Sequence, residues 1–547
     1  MGNRLPRPQP AVKLMPVDTP FKLPSTLPSW PPGSGFGTGT IALGGLELRQ
    51  VSTFSKVWAS HEGGPNNTGA TFFTPSSIPS GFYALGAYSQ PNNQPLFGWV
   101  LVAKDNDGSI LAKPLNFSLI SKRVQDNNSA YFWRPVPPEG YKAIGHLVTN
   151  TADKPSTDSM RCVRTDLTDV CETDSLVWST RKAANNNGLS VYSLRPKERG
   201  SNALGICVGT FVATVASTPD ADVASLACLK NKGYVLDSMP NHAQIESLLK
   251  AYSPFMFFHP DEMYLPSSVP WLFTNGALLY KKGDPNPIQI DPNGSNLPQD
   301  GSNDGSYWID LPTNNDAADK VKRGDLGSAE SYLHVKPMLG ATFTDIAIWV
   351  VYPFNGPVKL KVQLINVPLG KIGEHVGYWE HLTLRISNFT GELWRVYYAE
   401  HSGGQWMNAS ELEFQQGNKA TVYSSLHGHA SYSKAGLVLQ GNTKLDIGIR
   451  NDSAKSKFVM DTGAKFTIIA AEYLDSIAQP PWLNYTREWG PKVSFDTTNE
   501  LKKVEKFLLK KLRNAVEDIV RSLPKEVLGE EGPTGPKMKN NWTTDEV

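Results

Sequence analysis

The feature that most constrains this chain is a phrase written three times. G-x-x-A-[LI]-G occurs as GFYALG, GYKAIG and GSNALG, opened by Gly81, Gly140 and Gly200, which stand 59 and 60 residues apart. Each copy sits between apolar runs with a Pro upstream: GATFFTPSSIPSGFYALGAYS at 69–89, SAYFWRPVPPEGYKAIGHLVT at 129–149 and LSVYSLRPKERGSNALGICVGT at 189–210. GWVLVAK at 98–104, MRCVRTD at 160–166 and LACLKN at 226–231 close the units. A regular period built from short strands marks an array or a symmetric closed fold. Three units of this length predict a pseudo-threefold β-prism over 41–235. The repeated glycines have a backbone reason: they allow positive φ or a close approach at a corner.

Composition agrees. Aromatic residues are 10% of the chain, Gly and Pro number 46 and 41, and charged residues are only 19%. That balance suits a mainly β protein. A length of 547 residues allows two to four cored domains. A net charge of +1 argues against a nucleic-acid partner. The four cysteines, Cys162, Cys171, Cys207 and Cys228, form no C-x-x-C pair and are expected to be reduced and buried. Cys162 and Cys228 fall at matching places in the repeat, which favours packing over redox chemistry. His61, Glu62 and His146 read as loop or strand residues of the prism.

The first 40 residues read as an extended leader without the apolar core of a secretory signal, and no run is long enough to cross a membrane. Gly2 raises acylation, but Pro6 stands where the motif has Ser or Thr. The sequons at Asn116, Asn388 and Asn484 are expected to be unused in a cytoplasmic protein.

The second half, 240–495, reads differently. SMPNHAQIESLLKAYSP at 238–254 carries a helical stripe of Ile245, Leu248 and Leu249, with Ser238 or Asn241 as the cap. HPDE, holding His259, Asp261 and Glu262, reads as a turn, and the polar stretch 283–305 as a surface loop. From 342 to 430 the chain alternates β-branched and aromatic residues between turn signals, which predicts a β-sandwich. His375, His381, His401, His427 and His429 fall within 55 residues, each at a strand end or turn. GEHVGYWEHLTLRI, at 373–386, sets two histidines and two glutamates around a Trp-Glu pair. Imidazole and carboxylate donors together suit a divalent cation such as Zn²⁺, Mn²⁺ or Mg²⁺. The spacing is not that of HExxH, and on a strand His381 and Glu380 point to opposite faces.

EGGPNNTGATFFTPSSIPSGF, FHPDEMYLPSSV, YLHVKPMLGATFTDIAIWVVYPFNGP, LGKIGEHVGYWEHLTLRISNFTGEL and PPWLNYTREWGPK resemble the plant branch of the vacuolar protein sorting-associated protein 62 family, from about residue 21 to 542. The resemblance implies a plant protein of a family linked to vacuolar delivery. The second half also resembles, distantly, the necrosis-inducing NPP-type proteins, which carry G-H-R-H-D-W-E on a β-sandwich. That likeness matches His375 and Glu380 to the phrase, His429 to a later histidine and Asn355 to an upstream Asp. It implies one divalent cation held by His375, Glu380, His429 and Asn355. Tyr378 stands where the phrase has Asp, and Asn355 replaces another carboxylate, so the site is expected to be weakened.

Residues 498–523 read as an amphipathic helix with a basic face, more often packed on its own domain than laid on a membrane, and an extended tail follows to 547. The expectation is a mainly β protein: an N-terminal pseudo-threefold β-prism, a β-sandwich domain and a C-terminal amphipathic helix. Its expected role is non-enzymatic membrane-lipid binding or adaptor work in vacuolar trafficking. Its partners would be a membrane lipid or a trafficking protein, and its place the cytoplasm, peripheral on endomembranes. The alternatives are a metal-dependent hydrolase, with His381 or His401 as acid-base, and a carbohydrate-binding protein.

Overall fold

The structure is a computed structural model that describes residues 19–125, 127–180, 188–215, 219–369, 371–401, 403–442, 446–492, 510–521, 525, 528 and 531–546. In the first half each repeat folds into six strands. The first unit runs Leu46–Val51, Phe54–Ser60, Ala70–Pro75, Tyr83–Ala84, Tyr88–Pro91 and Val100–Asp105. The second and third units repeat that order from Leu111–Ala112 to Cys162–Arg164 and from Thr168–Asp169 to Cys228–Lys230. In every unit the second, third and fifth strands form one antiparallel sheet, and the first, fourth and sixth form another. The result is the expected pseudo-threefold β-prism.

Aromatic side chains from all three units meet at its centre. Phe72 lies 5.1 Å from Phe132 and 5.8 Å from Phe211 between ring centroids, and Trp58 lies 5.6 Å from Trp178. Rings of this size, packed edge to face, supply a core that short strands alone would lack. A second core joins Leu48, Leu85, Ile144 and Ile206 to Met338, Phe343 and Phe389 of the second half. The prism is therefore seated on the sandwich by apolar burial.

Gly81, Gly140 and Gly200, which open the hexapeptide, all have positive φ. The closing glycines serve the axis. A Cβ on Gly86 or Gly145 would press to 2.8 or 2.5 Å from the Thr210 side chain. In the third unit the equivalent position, two residues ahead of Phe211–Thr214, is Gly209, four residues beyond the hexapeptide's Gly205. A Cβ there would strike the Trp99 carbonyl. The sequence phrase thus slips by four residues in the third unit, where the chain takes a longer path between strand and axis.

Cys162, Cys171 and Cys228 are free and buried in one apolar cluster, and Cys207 is free and half-buried.

In the second half, helix His242–Tyr252 is capped by Asn241, whose side chain accepts from the Gln244 amide while the Gln244 side chain accepts from the Asn241 amide, both at 2.9 Å. It packs Ile245, Leu248 and Leu249 into a core between two sheets. The larger sheet orders its strands Gly403–Asn408, Leu393–Glu400, His375–Ser387, Phe343–Asn355, Ser331–Met338 and Phe466–Ala470. The facing sheet is built on Lys419–Ser424, Phe255–Phe257 and Val459–Asp461. Phe343–Asn355 is buried along its whole length, because the far face of the large sheet is also covered. A cluster with Trp349, Trp379, Trp482, Trp489 and Trp542 lies there. Such strands read as continuous apolar runs rather than alternating ones.

A four-stranded sheet of Ile365–Pro368, Lys359–Val362, Ile447–Ser453 and Gly436–Asn442 stands to one side. Of the expected helix over 498–523, Lys510–Arg521 is described, and 498–509 lies outside the described residues. Its Val516 and Ile519 are buried against this sheet, with Leu360 and Ile447. Where the helix is described, these two apolar residues are therefore covered by their own domain.

Residues 531–546 differ from the expected extended tail. Pro536–Met538 and Asn540–Trp542 are single 3-10 turns, and Trp542 stacks on His334 at 3.8 Å. The Ser201 amide of the prism donates to the Thr543 carbonyl at 3.0 Å. The reason for the docking is charge, set out below.

Candidate functional site

The two faces of His375–Ser387 carry different chemistry. Tyr378, Leu382 and Leu384 join the core between the two large sheets, while Trp379 joins the tryptophan cluster behind. Period-two alternation places Glu380 with Tyr378 and sends His381 to the opposite face, as the sequence implied.

On the inner face Glu380 is 3% exposed. The Tyr378 hydroxyl donates to its Oε1 at 2.6 Å and the His381 amide to its Oε2 at 3.2 Å. Burial pushes the carboxyl up to about 7, with the Tyr378 hydrogen bond opposing. His429 stacks on Tyr352 at 3.9 Å, and its Nε2 lies 3.0 Å from the Tyr264 carbonyl. Its Nδ1 is buried without a hydrogen-bond partner. Asn355 stands opposite His375 in the strand register and donates from Nδ2 to the Gly373 carbonyl at 2.8 Å. The Asn355 Oδ1 is also buried and unpartnered. His375 places Nδ1 3.2 Å from the Gly377 carbonyl.

Glu262, from HPDE, is the hub that sequence reading left unconnected. Its carboxylate accepts from the His427 amide at 2.7 Å, the Tyr264 amide at 2.9 Å and the Met263 amide at 3.0 Å. The His429 Nε2 lies 3.6 Å away. Burial raises this carboxyl, but the hydrogen bonds from His427 and His429 outweigh it and hold it well below the usual range. His401, His427 and His429 all take left-handed φ, at 58°, 67° and 58°. His is among the residues that tolerate this region, and Glu262 binds the turn that holds His427 and His429. His401 binds Asn451 at 3.1 Å, and burial lowers its pKa. Of the HPDE phrase, only a glutamate next to a fully apolar strand hinted that this carboxylate would be buried.

On the outer face the C-terminal tail supplies the partners. Glu546, with its side chain 2% exposed, lies 3.1 Å from His381 Nε2 and accepts from Thr383 Oγ1 at 2.5 Å. Burial opposes its ionisation, yet His381 and Thr383 hold the carboxyl down at about 2. Arg385 bonds Asp345 at 2.8 Å and Asp545 at 2.5 Å. Asp545 also lies 3.2 Å from Arg199 of the prism. Lys336 donates to the Asn541 carbonyl at 2.5 Å. His381 is thus a tail anchor stacked on Trp349 at 4.5 Å.

The structure brings Tyr378 and Glu380 together, and His429 beside Glu262. Among the described residues no three His, Cys, Asp or Glu side chains are grouped as a cation requires. Of the residues named for a cation, His375 and His429 flank Tyr378 at 5.3 and 6.2 Å between ring centroids, and Tyr378, in the place of an expected Asp, donates to Glu380.

No curated protein matches the chain. Solved structures with a local likeness include GNIP1Aa from Chromobacterium piscinae, 20% identical over 34% of this chain and 37% of that one, with a TM-score of 0.29. NLPPya in complex with glucosamine is 11% identical over 38% of this chain and 67% of that one, with a TM-score of 0.19. A necrosis and ethylene inducing protein 2, from the causal agent of cocoa's witches' broom disease, is 11% identical over 42% and 84%, with a TM-score of 0.17. The vacuolar protein sorting-associated protein 62 family matches residues 17–546, nearly the whole chain. The chain belongs to the vacuolar protein sorting-associated protein 62 family.

Proposed function

We propose that the chain is a non-enzymatic, peripheral membrane-lipid binder or adaptor in intracellular, vacuolar trafficking. One observation carries the reading. At the tip of the hairpin joining Lys359–Val362 to Ile365–Pro368, Leu364 is 98% exposed and Ile365 52%. Leu437 and Val438 are exposed on the same sheet, and Lys359, Lys371 and Lys434 are exposed near these strands in sequence. An exposed aliphatic hairpin tip suits shallow insertion at a bilayer surface, and exposed lysines in the same stretches of chain suit an anionic one. Burying each aliphatic side chain contributes ~1.5–3 kcal/mol, and each lysine about 1 kcal/mol, so binding is reversible. No helix among the described residues is long and apolar enough to cross a membrane.

Vesicle flotation of the full chain tests this. Phosphatidylserine-containing vesicles are expected to carry the protein upward, and Leu364→Asp with Ile365→Asp to abolish flotation. No flotation with phosphatidylserine, phosphatidylcholine or sphingolipid vesicles removes the lipid reading.

A metal-dependent hydrolase centred on Glu380 is the rival, favoured by a buried carboxyl poised at about 7. Metal analysis of the purified chain beside Tyr378→Asp separates the two. One equivalent in the native chain supports the hydrolase. Metal in the variant alone supports the binding role.

A further inference from the structure

A cavity of about 370 Å³ opens where the prism meets the sandwich. The prism contributes Tyr88, Trp99, Asp174, Arg195 and Cys207 to its wall. The sandwich contributes Arg385, Trp394, Arg395 and Trp406, and the tail adds Asp545 and Glu546. Its size is that of a small-molecule site, and domain junctions are where such sites gather.

Three of the four arginines in the wall are bonded to carboxylates. Arg195 pairs with Glu172 and Asp174, both at 2.9 Å. Arg199 pairs with Glu172 at 2.7 Å and Asp545 at 3.2 Å. Arg385 pairs with Asp345 and Asp545. Arg395 differs. Its Nε donates to Asn408 Oδ1 at 2.9 Å, and its guanidinium lies 5.6 Å from the Trp394 ring. No carboxylate among the described residues forms an ion pair with it; burial works against its charge, and Asp174, already paired with Arg195, favours it only from a longer distance. Arginine stays charged in proteins, so a guanidinium at a cavity wall with no directly bonded carboxylate favours an anion there. Trp394 and Trp406 add flat apolar surface to the same wall.

We infer that this cavity binds a small amphiphilic anion, a carboxylate or phosphate on an aromatic or short aliphatic body, with Arg395 as its anchor. The guanidinium fork fits either head group in two parallel hydrogen bonds. The volume admits a free small molecule rather than a lipid with its chains. The inference is independent of the hairpin reading above.

Calorimetry on the full chain, with phenyl phosphate as the probe, tests it. Phenyl phosphate is expected to saturate at one equivalent. Inorganic phosphate and neutral benzyl alcohol should each bind at least about tenfold more weakly, a difference of about 1.4 kcal/mol. Arg395→Gln should weaken phenyl phosphate by about tenfold or more, and Arg323→Gln, away from the cavity wall, should not. A native-chain readout covers misfolding of the variant. Cys207 lines the cavity and is half-buried, so saturating phenyl phosphate should slow its alkylation by N-ethylmaleimide. Absence of binding, equal binding to Arg395→Gln, or an unchanged Cys207 rate overturns the inference. Binding of phosphatidic acid vesicles but not of phenyl phosphate also overturns it, because the source would then be a lipid surface.

Discussion

The prism and the sandwich solve the same problem, a long β chain needing cores, in opposite ways. The prism spreads its core over three copies of one short unit, each supplying at least two large rings to a shared cluster. The sandwich concentrates its core on two long strands, Phe343–Asn355 and His375–Ser387, almost wholly buried. Burial on both faces forces polar side chains inside. Asp345 is 0% exposed, and Glu380, Arg385 and His375 are nearly so. The prism depends mostly on shape, and the sandwich on shape plus buried pairing. Buried charges cost several kcal/mol each unless they are paired, so the sandwich requires partners where the prism requires fit.

The largest effects should separate these two kinds of core. Asp345→Ala leaves Arg385 with only Asp545 and should destabilise the sandwich by about 3–5 kcal/mol. Phe72→Ala opens the centre of the prism and should cost about 3–5 kcal/mol through cavity formation. Urea unfolding followed by hydrogen exchange distinguishes them. Asp345→Ala should loosen amides of the large sheet and the tail, and Phe72→Ala those of all three prism units. A Phe72→Ala effect confined to the first unit would mean that the axis is not a shared core.

The next effect concerns the tail. The Glu546 carboxyl is held at about 2, below its ordinary value, by its bonded contacts with His381 and Thr383. A depressed carboxyl stabilises the fold above about pH 4.5, and that stability is lost as pH falls toward 2. The contribution is on the order of 3 kcal/mol. Glu546→Gln should therefore lower stability at pH 7 and flatten its decline between pH 5 and 2. An unchanged acid limb would show that the tail is seated by Trp542 and backbone contacts instead.

The smallest effect has the opposite sign. Burial raises the Glu380 carboxyl to about 7, so the folded state holds its proton longer than the unfolded chain does. Stability from this group is present at low pH and is lost as pH rises from about 4.5 through 7. Glu380→Gln should raise the melting midpoint more at pH 8 than at pH 5. Equal shifts at both pH values would mean that Tyr378 stabilises the carboxylate fully.

Much of this was legible in particular residues. The spacing of Gly81, Gly140 and Gly200 pointed to the threefold prism, and period two separated Glu380 from His381. Two things were not legible. Glu262 finds His427 and His429 165 and 167 residues away in sequence, and no local pattern links HPDE to HGHASY. Residues 531–546 look like a Gly- and Pro-rich end, because the groups that seat them, Arg385, His381 and Lys336, are more than 150 residues upstream.

By itself the sequence determined the number of prism units, the corner glycines, the apolar strands and the stripe of the last helix. Each of these follows from the local geometry of the backbone or from the period of a single element. Only the tertiary structure decided which buried charges meet, that the tail joins prism to sandwich, and that Arg395 stands at a cavity wall without a directly bonded carboxylate. The free energy of a buried charge depends on what surrounds it in space, and those neighbours come from distant stretches of the chain.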